Sequence, residues 1–141
     1  MARLQTSVVL PPRSADVNVR VSCDSLLNGP SELVEVRYKV PFGLDVVPQK
    51  GLVVCTKGGE GGEQEGDVLR FSSYWSLRLP RGEGLAESAA AFSGGVRWQC
   101  GLFDVMKARA WEQVVEALTS NTRQRTDEVV LIFERALPSQ E

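Results

Sequence analysis

The residues of this chain whose types and spacing could do chemistry are Phe42-Gly43-Leu44, which follow a strand-like run and Pro41. A short loop with glycine at its centre can turn successive backbone N–H groups outward, and such a concavity binds an anion such as a carboxylate. The same glycine also suits a plain tight turn between strands, so the loop has two readings. Catalytic groupings are missing by comparison. The chain has no histidine, which removes Ser-His and Cys-His nucleophilic pairs and the commonest metal ligand. Asp67 and Asp104 have no identifiable partner for an acid/base dyad. Glu60, Glu63 and Glu65 lie among glycines that supply no rigid ligand geometry, so they read as a solvated loop and not a cation site. No metal or cofactor is expected. Cys23, Cys55 and Cys100 are odd in number and far apart, which suits neither a disulfide framework nor a zinc knuckle. They read as buried thiols of a reducing, intracellular compartment. The expectation is a binding protein and not an enzyme.

An anion-binding loop needs elements to hold it. Trp111 to Thr119 places apolar residues at 111, 114, 115 and 118, the stripe of a helix packed along one side, and Asn121 is its stop signal. Val17, Val19 and Val21 alternate with polar residues, as do Val34, Val36, Tyr38 and Val40, which gives two strands. Asp45-Val46-Val47 reads as a short strand ended by Pro48, and Leu52 to Thr56 as a buried one. Gly58 to Gly66 holds five glycines and three glutamates in nine residues and reads as a mobile loop. Further strands are expected at Val68 to Trp75, at Val96 to Val105 with a bulge near Gly101, and at Glu128 to Leu137. A strand leaving the Gly43 loop beside the Trp111 helix leaves a slot one extended peptide wide. The predicted fold is α+β and mostly β, a small partly open barrel of five to six strands with one main helix before the last.

At 141 residues the chain suits one domain with tails. Residues 1–31 read as an N-terminal arm with one strand, 32–137 as the domain, 76–97 as an insertion with a short helix at Leu85 to Phe92, and 138–141 as a tail. Met1 to Arg13 has no acid, but also no apolar core of signal-peptide length. The longest apolar runs, such as Val129 to Phe133, are strand-sized, so no transmembrane segment is expected. A net charge of −2 with scattered Lys and Arg gives no basic stripe for nucleic acid. Lys107, Arg109, Arg123 and Arg125 flank the helix as a solvated face.

The order of these elements resembles a PDZ domain over roughly Glu32 to Leu137. Pro41-Phe42-Gly43-Leu44 sits where that family has its carboxylate-binding loop, Gly66-Asp67-Val68-Leu69 matches its Gly-Asp strand entry, and Trp111 to Leu118 matches its groove helix. The resemblance implies that the amides of Phe42, Gly43 and Leu44 face a C-terminal carboxylate. Phe42, Leu44, Val46, Val115 and Leu118 would then line the groove for a peptide added to the Leu44 to Val47 edge. Trp111 falls where many members carry a histidine that reads the ligand, and an indole can only donate; it is either a groove residue favouring apolar ligands or a packing residue. Trp75, beside the insertion, is the expected partner contact. The Val40-Pro41-Phe42-Gly43-Leu44 entry and the closing Leu-Ile-Phe-Glu-Arg are similar to single PDZ-like proteins of plant and algal plastids. That implies a peripheral accessory or assembly subunit of a photosynthetic membrane complex at the thylakoid's stromal surface. The alternative is a module that captures C-terminal peptides for proteolytic quality control. Pro48 and the insertion favour fixed docking.

Overall fold

An unbroken apolar run such as Val129-Val130-Leu131-Ile132-Phe133 makes a stable strand only if both of its faces are covered. In the computed structural model, which describes residues 2–78 and 97–138, this run is fully buried. It lies in the last of eight strands: β1 (Arg3–Val9), β2 (Asn18–Asp24), β3 (Ser31–Lys39), β4 (Val46–Gln49), β5 (Leu52–Cys55), β6 (Val68–Arg78), β7 (Arg97–Asp104) and β8 (Glu128–Ala136). One α-helix stands among the described residues, α1 (Trp111–Thr119), placed before the last strand. The architecture is therefore α+β and mostly β, with open sheets. Six strands form one sheet in the order β3-β8-β6-β5-β4, with β7 paired to the far half of β6, and β1 and β2 form a separate hairpin.

Alternation along β8 divides the interior into two cores. Val129, Leu131 and Phe133 face Val114 and Leu118 of α1, together with Val36, Val53, Cys55 and Leu69. Val130 and Ile132 face Val8, Val21 and Cys23 of the β1–β2 hairpin, together with Phe71. Residues 1–31, expected to be an arm with one strand, thus supply two strands that pack on one face of the main sheet over β3, β6, β7 and β8. The six strands of the main sheet agree with the expected five to six, and β1 is the strand added to the one expected in the arm. Each fully buried Val, Leu or Phe in these layers contributes about 1.5–3 kcal/mol.

The bulge is not at Gly101. Pairing of β6 with β7 runs without a shift from Phe71↔Asp104 to Arg78↔Arg97. The irregularity lies between Leu69 and Phe71, where β6 pairs with β8. Leu69 packs in the helix-side core and Phe71 in the hairpin-side core, so the extra residue, Arg70, shares the hairpin side with Phe71. There it meets Glu134, the next hairpin-side residue of β8 after Ile132, at 2.5 Å.

The Gly58 to Gly66 loop is tied down, contrary to the expected mobile, solvated segment. Glu63 is buried and accepts from the Tyr38 hydroxyl at 2.7 Å, while Tyr38 accepts from the Gly61 amide at 2.8 Å. A Cβ on Gly61 would stand 2.6 Å from Val36 Cγ1, so glycine is required there for the loop to lie this close to β3. Asp67 is likewise not a lone carboxylate. It is buried, accepts from the Gln64 amide at 2.9 Å and pairs with Arg135 at 2.7 Å. Burial raises the Tyr38 hydroxyl above its usual range, and the Glu63 carboxylate beside it acts in the same direction.

Ser76, Leu77 and Arg78 of the expected insertion belong to β6, and Arg97 opens β7. The expected Leu85 to Phe92 helix lies outside the described residues. None of the helices in the described residues is long and apolar enough to cross a membrane.

Candidate functional site

The Val40–Pro41 peptide bond is cis, and the chain then runs through 42–45 without regular structure into β4. Phe42, Leu44 and Val46 are half-buried and pack on the helix-side core, whereas Gly43 and Asp45 are exposed. This is the period-two alternation of extended chain. It turns three apolar side chains toward α1. Phe42 also stacks on Tyr38, with ring centroids 6.3 Å apart.

On the facing side, α1 is preceded by Ala110, whose side chain gives no cap, and the Gln113 side chain accepts from the Arg109 amide at 2.7 Å instead. Val114 and Leu118 point into the core, while Val115 is 38% exposed and Trp111 is half-buried. Past the end of the helix, Asn121 is buried and donates to the carbonyls of Ala117 and Leu118 at 3.2 and 3.0 Å. It also donates to Ser73 O on β6 at 2.9 Å. The expected stop residue therefore also fixes the end of α1 against the sheet.

Between these walls lies a cleft of about 380 Å³, lined by Pro41, Phe42, Leu44, Val46, Trp111, Val115, Leu118, Thr119 and Asn121. It brings together six of the predicted binding residues: Phe42, Leu44, Val46, Trp111, Val115 and Leu118. Gly43 is not among its lining residues; it borders a polar hollow on the other side of the loop, beside Lys39, Asp45 and Lys57. Its φ is not in the left-handed region, and a Cβ there would meet no atom within 4 Å. Free geometry alone does not require glycine at this position. Among the described residues, the amides of Phe42, Gly43 and Leu44 donate to no protein group. The unclaimed amides of Phe42 and Leu44, two residues that line the cleft, can donate to an anionic group whose apolar remainder enters it.

Pro41, Thr119 and Asn121 were not predicted as lining residues. Thr119 follows Val115 by one helical turn, a spacing that could have found it. Trp75 lies apart from the cleft. With Tyr74, Leu77, Trp98, Phe103 and Arg125 it lines a hollow of about 650 Å³ between β6, β7 and α1. Its backbone amide donates to Ser120 Oγ at 2.9 Å, and its buried indole Nε1 has no acceptor among the described residues. The guanidinium of Arg125 lies 3.5 Å over the Trp98 ring, so this cation is engaged with an aromatic face instead of being merely solvated. Of the three cysteines, Cys23 and Cys55 are buried, and Cys100 is half-buried in place of the full burial expected. Burial pushes both buried thiols above their usual range.

Comparison of this chain with protein-family models, with curated proteins and with solved structures finds no match.

Proposed function

We propose that this chain is a non-catalytic PDZ-like interaction module whose cleft holds the C-terminus of a partner polypeptide. The observation that carries the reading is the pairing of the unclaimed loop amides of Phe42 and Leu44 with the apolar cleft that these two residues line. A carboxylate at the loop and an apolar last side chain over Leu118 use both features at once. The elements also follow in the order the resemblance requires: loop, short edge strand, a strand opened by Gly66-Asp67, groove helix and closing strand. Acid/base chemistry is not part of the reading. Among the described residues the buried carboxylates Glu63, Asp67 and Glu134 are committed to Tyr38, Arg135 and Arg70.

In this reading the module is a small peripheral accessory or assembly subunit of a larger complex. The photosynthetic membrane setting rests on the resemblance to plastid proteins. A second hollow, of mixed polarity and with exposed Trp98 and Leu77, favours fixed docking over transient capture. Capture of free C-termini for quality control is the second reading, favoured by the unclaimed amides alone.

The test is a titration of the cleft, read by Trp fluorescence, with a short peptide ending in Val. The free acid is expected to bind and the C-terminal amide to bind at least about tenfold more weakly, since charge-assisted hydrogen bonds to the loop are lost. Equal binding of acid and amide would refute the carboxylate reading. Stoichiometric copurification with a membrane complex separates fixed docking from capture of free peptides.

A further inference from the structure

The register of β4 carries a limit on what the cleft can read. Thr56 N–H donates to Asp45 O at 2.8 Å, so the Asp45 carbonyl faces β5. The ladder continues with Val46↔Cys55, Val47↔Val54, Pro48↔Val53 and Gln49↔Leu52. In an antiparallel pair, opposed residues alternate between those that exchange both hydrogen bonds and those whose backbone groups point away. Asp45, Val47 and Gln49 therefore face β5, and Leu44, Val46 and Pro48 face the open edge. Two observations fix the same phase. The Cys55 amide, opposite Val46, donates away from β4 to Asp67 O at 2.8 Å. Lys50 and Gly51, at φ 50 and 81, form the two-residue turn that requires Gln49↔Leu52 to be a bonded pair.

Pro48 is thus not the end of the strand, as the sequence suggested, but an internal residue of β4 whose imide nitrogen lies on the free edge. Proline is tolerated there because it owes β5 no hydrogen bond. A partner strand meets a different situation. It finds a donor and an acceptor at Val46, but at Pro48 only an acceptor, with the ring where an N–H would be.

We propose that Pro48 sets the length of ligand the cleft reads, so that only the last three residues of a C-terminal peptide contribute to recognition. This rests on the peptide-binding reading. With the carboxylate at the Phe42 and Leu44 amides, the ligand must run antiparallel to β4. Its last residue lies opposite Leu44, the third from the end opposite Val46, and the fifth opposite Pro48, where the ladder fails. Specificity is confined to the apolar last side chain and its two neighbours, which Trp111 and Val115 flank.

The experiment uses the full chain and three acetylated peptides of three, five and seven residues, all alanine except for a C-terminal Val with a free carboxylate. The five- and seven-residue peptides are expected to bind the natural chain within about twofold of the three-residue one. Pro48→Ala restores one edge donor, and is expected to raise the affinity of the five-residue peptide by about 2- to 10-fold while leaving the three-residue peptide unchanged. An increase of more than about fivefold from three to five residues in the natural chain overturns the proposal, as does a Pro48→Ala variant that treats the two lengths alike. The length series stands without the variant, should Pro48→Ala fold poorly. If none of the peptides binds the natural chain, the peptide-binding reading falls and takes this proposal with it. If peptides bind with affinity that grows with length, only the proposal falls.

Discussion

Replacing Glu134 by Gln changes one oxygen for an NH2 group, yet the structure makes this one of the costliest single changes available. The Glu134 side chain has no exposed surface and sits among donors: Arg70 Nη1 at 2.5 Å, Ser31 Oγ at 2.6 Å, Ser25 Oγ at 2.9 Å, and the amides of Leu26 and Leu27 at 3.1 and 3.2 Å. Glutamine presents two N–H donors to this shell and removes the counter-charge of Arg70, whose Nε has no partner among the described residues. Leaving one member of a buried ion pair unpaired costs about 3–5 kcal/mol, against a total stability of about 5–15 kcal/mol for a domain. Urea unfolding followed by circular dichroism measures the loss. Arg70→Met combined with Glu134→Gln removes both charges, and a double-mutant cycle is expected to recover at least about 1 kcal/mol relative to additivity. The pH dependence provides a second readout. Burial by itself raises the Glu134 carboxyl, but the donors at Ser31, Leu26, Ser25 and Leu27 outweigh it and hold it below its usual value of 4.5. A lowered folded value means that the stabilisation is complete above 4.5 and is lost as pH falls through that lower value. Glu134→Gln is expected to lack this acid limb. A cost under about 1 kcal/mol together with an unchanged acid limb would show that Glu134 does not hold the β2–β3 connection as argued.

The two faces of α1 are expected to separate stability from binding. Leu118→Ala, at a residue 9% exposed, should cost about 2–5 kcal/mol in chemical denaturation. Val115→Ala, 38% exposed, should cost under about 1 kcal/mol while weakening peptide binding in the fluorescence titration, and equal stability losses at the two would contradict the observed helix rotation. Gly61→Ala should destabilise by about 1–3 kcal/mol, because its Cβ would stand 2.6 Å from Val36 Cγ1. Gly43→Ala, with nothing within 4 Å, should stay within about 0.5 kcal/mol of the natural chain, and a thermal melt of the two side by side distinguishes them.

What the sequence displayed most directly was local periodicity. The stripe at Trp111, Val114, Val115 and Leu118 marks both the helix and its two faces, and α1 spans Trp111–Thr119 as the pattern predicts. Phe42, Leu44 and Val46 alternate as extended chain must, but the resemblance to PDZ domains, and not this alternation, marked them as groove residues. Long-range partners were hidden. Leu102 and Phe103 look like a change of phase and hence a bulge, but Leu102 packs against the hairpin-side core and Phe103 against the helix-side core. Two consecutive apolar residues simply mark a strand covered on both faces. The same signal was present in Val129 to Phe133, and it required a covering layer that the sequence reading did not supply. Leu4, Thr6 and Val8 do alternate in β1, but the first two are weakly buried and the polar residues between them mask the strand. The glycine-rich loop looked mobile because its restraints, Tyr38 and Arg135, lie far away in sequence.

The edges of the main sheet give an independent reason to regard the cleft as a site. An exposed edge strand invites pairing with other chains, and proteins blunt such edges with charge or with proline. The edge strand β3 carries Glu32, Glu35, Arg37 and Lys39 along its length and is further tied to the β1–β2 hairpin by the Arg37 guanidinium on Val9 O. The opposite edge, β4, is Val46-Val47-Pro48-Gln49, with no charge at all. Within β4 itself the protection is the proline, placed toward the end far from the Gly43 loop. Were protection against pairing the whole purpose, a proline or a charge at position 46 would block the open edge where the apolar cleft adjoins it. The chain instead leaves Val46 able to pair, beside the unclaimed amides of Phe42 and Leu44, and closes the edge two residues further on. That distribution suits an edge kept open for one short strand and shut to a longer one.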